Sequence, residues 1–97
     1  MTLIKNSQTE IAVDADLLLK ELLTEEKLLV LYNDDFNTFD HVITSLVKVC
    51  RHTSIQAEQC ALIIHNNGKC MVKRGSFDDL EPMCTALLDR GLSASIE

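Results

Sequence analysis

Apolar side chains fill nearly every position of "KLLVLYN" (27–33), a density that predicts a strand covered on both faces or lying at the centre of a sheet. The pattern then changes period. Phe39, Val42, Ile43, Leu46, Val47 and Cys50 recur at helical spacing. Thr38 stands as N-cap of that helix, and Asp40 sits near its positive end. A second helix is predicted from Ala57, Cys60, Ala61 and Ile64, with Thr53 and Gln56 as a capping box. Asn66, Asn67 and Gly68 stop it, because Asn and Gly tolerate the left-handed backbone that ends helices. "KCMVKR" (69–74) alternates as a strand that Gly75 ends. Leu80, Cys84, Leu87 and Leu88 mark a third helix running to Gly91. Opening that helix at Ser76 would put Pro82 in its interior, at a cost near ~3 kcal/mol. The expected start is therefore Asp78 or Asp79. "LSASIE" (92–97) alternates as a last strand.

The order strand, helix, helix, strand, helix, strand predicts an α+β two-layer sandwich: a three-stranded sheet with three helices on one face. Two segments are expected. Residues 1–26 read as an acidic, leucine-containing extension and residues 27–97 as the core domain. Within the extension, Leu18, Leu19 and Leu22 fall at helical spacing with Ala15 on the same side, which fits either a short docking helix or a mobile acidic arm.

Charge narrows the choice of partner. The net charge is −6. In residues 1–26, Lys5 and Lys20 stand against Glu10, Asp14, Asp16, Glu21, Glu25 and Glu26. Neither segment offers the basic footprint that a phosphate backbone or an anionic membrane demands. No apolar run approaches the ~20 residues of a bilayer span. No secretory signal is visible in the first ten residues, so a cytoplasmic location is expected. Cys50, Cys60, Cys70 and Cys84 are too widely spaced for a CxxC motif and lie in apolar periodic segments, where free thiols behave as small hydrophobes.

The densest polar feature is Asn33-Asp34-Asp35, where the first strand meets the first helix. Such residues form turns by bonding nearby backbone N–H groups. They could equally serve as acceptors for a cation. His65 ends an apolar helix, a position the helix dipole favours, or it could act as a ligand. His41 and His52 sit among polar neighbours and read as surface residues. Carboxylates, an amide oxygen and an imidazole together suit a metal, acid–base chemistry or a cation with several N–H donors. A metal-dependent hydrolase using Asp34, Asp35 and His65 is one reading. Zinc, however, would call for more His or Cys at tight spacing, and neither a nucleophile beside His65 nor a Gly-rich phosphate loop is present.

"YNDDFNTFDHVITSL", "AEQCALIIHNNGK" and a final strand that opens on an apolar residue together resemble the ClpS family of adaptors for ATP-dependent Clp proteases. The resemblance covers residues 27–97. It implies a binding module, not an enzyme, with no cofactor or metal, that is expected to be monomeric. Family members bind proteins bearing a bulky hydrophobic N-terminal residue, an N-degron. They deliver them to an AAA+ Clp unfoldase of the ClpA or ClpC type through its N-terminal domain. By resemblance Asn33, Asp35 and His65 would contact the substrate's α-amino group, with Asp34 supporting the corner. Leu31, Tyr32, Asn37, Phe39, Val42, Ala61 and Leu92 would form the hydrophobic pocket. The fold would be shared with the C-terminal domain of the ribosomal stalk protein, so an interaction domain without N-degron recognition is the alternative. Phe39 and Ala61 replace a frequent Met, Asn37 a frequent Thr and Thr38 a frequent Pro. Met83 stands where many members carry a basic residue in the unfoldase-contacting region.

Overall fold

The computed structural model describes residues 14–97; the first half of the expected extension lies outside the described residues. Seven elements follow in order: α1 (Ala15–Thr24), β1 (Glu26–Tyr32), α2 (Phe39–Cys50), α3 (Ser54–Asn67), β2 (Lys69–Ser76), α4 (Phe77–Asp89) and β3 (Ser93–Ile96). From β1 onward this is the expected order, in the α+β class. The fourth helix, α1, belongs to the segment read as an extension. None of its residues is buried.

The sheet is antiparallel in the order β2-β1-β3, which puts the most apolar strand at its centre. Leu29 and Leu31 are fully buried against the helices. Between Leu29 and Val30 the register with β2 shifts, so that Leu29 faces Lys73 and Val30 faces Met71. The unpaired residue of this bulge, Val72, is buried in the core. Leu46, Cys50, Ala57, Ile64, Leu80, Cys84, Leu87 and Leu92 complete the core from the helices and the last turn. No helix among the described residues is long and apolar enough to cross a membrane.

Caps set the helix boundaries. Thr38 Oγ1 accepts from the His41 N–H at 3.1 Å. Thr53 and Gln56 form a reciprocal capping box. Gly68 takes a φ of 90° and returns its N–H to the Ile64 carbonyl at 2.8 Å. The link between α2 and α3 turns at Arg51, the one non-glycine residue with positive φ among those described.

The start of α4 differs from expectation. The helix opens at Phe77, with Ser76 Oγ accepting from the Asp79 N–H at 3.2 Å, so Pro82 does stand inside it. Two effects favour the early start. Leu80 must lie on a helical face to reach the core, where it is 1% exposed. Asp78 and Asp79 also gain from the positive end of the helix. The cost is the bond that Pro82 cannot donate to the Asp78 carbonyl. His41 and His52 likewise differ from surface residues. Both are half-buried, and their Nε2 atoms contact the carbonyls of Arg90 (2.8 Å) and Val72 (2.6 Å).

Pro82→Ala should restore that helix bond and stabilise the fold by about 1–3 kcal/mol. Urea unfolding checks this, and an unchanged or lowered midpoint would contradict it.

Candidate functional site

Three segments converge at one end of the helix layer: the corner of residues 33–38, the first turns of α2 and the last turns of α3. Asn33, Asp34, Asp35, Asn37, Phe39, Val42, Ala61, Ile64 and His65 line a cavity of about 290 Å3 between them. That is the small end of the range for ligand-sized sites. Ala61 and Ile64, each 4% exposed, form its floor, while the polar groups come from the corner and from His65.

Asp34 builds the corner. Its Oδ1 accepts from the N–H groups of Phe36 and Asn37, each at 2.8 Å, and its Oδ2 accepts from the Asn37 side-chain amide at 2.6 Å. The same Asn37 amide donates to the Gly91 carbonyl at 2.9 Å, tying the corner to the turn after α4. Partial burial pushes the Asp34 carboxyl up, but the bonds from Asn37 and Phe36 outweigh it and hold the group below its ordinary value. Asp35 and the Asn33 amide have no side-chain hydrogen bond to another described residue, and both face the cavity.

His65 is brought to the corner by the backbone. The Asn33 N–H donates to the Gly68 carbonyl at 2.8 Å, which joins the end of β1 to the turn three residues after His65. The Phe39 ring packs beside the imidazole, with centroids 5.5 Å apart and planes tilted by 55°. The result is a concave site with two carboxylates, two amides, an imidazole and an apolar floor. Among the described residues no Lys or Arg lines it. It suits a small cation with several N–H donors joined to an apolar group.

Other chemistry finds little support in the side chains. Among the described residues no group of three or more His, Cys, Asp or Glu is placed to hold a metal ion. Burial pushes the Cys50 thiol up to about 11, against a weaker opposing pull from Lys73. Burial together with neighbouring Cys70 pushes Cys60 up to about 12. Both thiols stay protonated at neutral pH and so make poor nucleophiles.

The structure brings together Asn33, Asp34, Asp35, Asn37, Phe39, Val42, Ala61 and His65 of the residues singled out from sequence. Leu31, Tyr32 and Leu92 lie one layer behind, around a void of about 20 Å3 that shares Asn33, Asp34, Asn37 and Val42 with the main cavity. The Tyr32 hydroxyl is engaged by the Glu97 carboxylate. Ile64 lines both spaces, whereas its spacing in the sequence marks it only as a core position of its helix. Its place three residues after Ala61, on the same helical face, was the available signal.

Comparisons with known proteins bear on the family and the fold. Residues 24–95 match the family model described as ATP-dependent Clp protease adaptor protein ClpS. The adapter protein ClpS of Synechococcus elongatus is 36% identical over 69 residues, covering 70% of this chain and 73% of that protein. ClpS of Oleidesulfovibrio alaskensis is 37% identical over 57 residues, covering 57% of this chain and 55% of that protein. Among solved structures, Agrobacterium tumefaciens ClpS2 bound to L-phenylalaninamide superposes with a TM-score of 0.71. The match covers 74% of this chain and 94% of that one at 22% identity, a likeness of fold.

Because the folded state depresses the Asp34 carboxyl, its contribution to stability is present above the ordinary value of 3.8 and is lost as pH falls through the lower, folded value. Asp34→Asn should therefore reduce stability near neutrality and show a smaller further loss below about pH 4 than the native chain. Chemical unfolding at several pH values checks this; parallel acid profiles would contradict it.

Proposed function

The chain belongs to the ClpS family of adaptor proteins of the ATP-dependent Clp protease, and on that premise we propose that it recognises proteins by a free, bulky hydrophobic N-terminal residue and delivers them to a Clp unfoldase of the AAA+ class. The observation that carries this reading is the pairing of unengaged acceptors with an apolar floor in a single cavity. An α-ammonium group has three N–H donors, and Asn33, Asp35 and His65 supply three acceptors around the mouth. Asp34 takes no direct part. Its carboxylate is consumed in holding the corner.

Hydrogen bonds between a charged donor and such acceptors are roughly twice as strong as neutral ones. The first side chain of the substrate would enter between Phe39 and Val42 and rest on Ala61 and Ile64, where buried apolar area sets affinity. L-Phenylalaninamide, the molecule bound to the similarly folded Agrobacterium ClpS2, has both features: a free α-amine and a benzyl side chain. Blocking the amine removes its charge and donors and leaves the acceptors unpaired, so internal or acetylated residues are rejected. No bond is made or broken in this account. Binding and handover are the whole activity, with the N-terminal domain of a ClpA- or ClpC-type unfoldase as the receiving partner.

Fluorescence anisotropy with short peptides tests the proposal. A peptide beginning with free Phe or Leu should bind, and its N-acetylated counterpart should bind on the order of a hundredfold more weakly, because two or more acceptors lose their partners. Equal affinities would overturn N-degron recognition and favour an interaction domain that works through another surface.

A further inference from the structure

Two features outside the candidate pocket match each other. The first is α1, a ten-residue helix that buries nothing. Leu18, Leu19 and Leu22 are 39%, 56% and 52% exposed. At about 100° per residue they share one side of the helix with Ala15; Asp16 lies on one flank, Glu21 on the other, and Lys20 and an equally exposed Leu17 at the back. A helix this short is marginal in water without a surface to pack on.

The second feature is a groove of about 570 Å3 where the end of α2 meets β2 and α4. Its floor is apolar, with Val49, Pro82 and Met83. Its rim carries Lys48, Arg51 and Lys73 against a single acid, Asp79. Lys73 also donates to the Cys50 carbonyl at 3.2 Å, which keeps its charge at the groove. The candidate pocket lies at the other end of α2, so the two sites do not overlap.

No residue of α1 lines the groove in this structure; we propose that α1 moves from its place beside α4 and β2 into this groove of its own chain, with its leucines on the apolar floor and Asp16 and Glu21 against the basic rim. Three observations select this occupant. The charges are complementary: an acidic helix meets a rim with an excess of basic groups. The tether is short, since only Glu25 separates α1 from β1, and α1 already neighbours α4 and β2. That raises its effective concentration far above that of a second copy. A second depression, lined by Leu28, Val30, Ile63 and Met71, is also apolar, but Val30 is already buried and Lys69 and Glu97 beside it cancel, which gives an acidic helix nothing to pair with. A docked α1 acts as a strap, closing the groove to any other helix until it is displaced.

Methyl-labelled NMR of the full chain tests the proposal. The Met83 methyl should show nuclear Overhauser contacts to the Leu18 and Leu22 methyls. These contacts should remain when labelled chain is diluted into unlabelled chain and vanish in L18S/L22S, whose changes are at exposed positions. Amide exchange in α1 should be roughly tenfold slower in the native chain than in Lys48→Glu, which reverses a rim charge without touching the core. Contacts to Met71, contacts only between differently labelled chains, or α1 amides exchanging at the same rate in both proteins would each overturn the proposal.

Discussion

The candidate site depends on one carboxylate that is not expected to touch a ligand. Asp34 takes two backbone N–H groups and one side-chain amide within three residues of itself. Those bonds turn the chain out of β1 toward α2 and leave Asn33 and Asp35 facing the cavity. Without them the corner would lose its geometry and the acceptors their preorganisation. Asn37 extends the constraint by tying the corner to Gly91, so the turn before β3 is held by the same residues that shape the cavity.

The remainder of the fold presents this corner to its counterpart. β1 is the central strand, and the bond between Asn33 and Gly68 fixes its end against the close of α3. That places His65 beside Phe39, although 26 positions separate them in sequence. The core beneath is built from Leu, Ile, Val, Ala and buried Cys. Packing of this kind resists the small shifts that would spread the acceptors apart. On the proposed function, a polar mouth anchored over a rigid apolar floor would let a single cavity read both an ammonium and the side chain next to it.

Much of this was legible in the sequence for physical reasons. The caps at Thr38 and Thr53, the stop at Gly68 and the apolar density of β1 are local signals, and the structure realises each of them. Where local and tertiary forces compete, the sequence misleads. Pro82 argued for a late start to α4, but the burial of Leu80 and the Ser76 cap outweigh one lost hydrogen bond. His41 and His52 looked exposed because their neighbours in sequence are polar, while their actual partners, the Arg90 and Val72 carbonyls, lie 49 and 20 positions away. The convergence of Asn33, Asp35 and His65 is of the same long-range kind. Periodicity could not reveal it, and only the family resemblance linked the two motifs. Ile64 lines the cavity and the core at once, and periodicity signals only the second.

The central claim is that Asp35 and its neighbours bind a free α-ammonium. A double-mutant cycle tests this most directly, crossing Asp35→Ala with N-acetylation of a Phe-initiated peptide and reading each affinity by calorimetry. The account predicts strong coupling: Asp35→Ala weakens the free peptide by roughly ten- to a hundredfold and leaves the affinity of the acetylated peptide almost unchanged. Equal losses for both peptides would show that Asp35 does not meet the amine, and would contradict it.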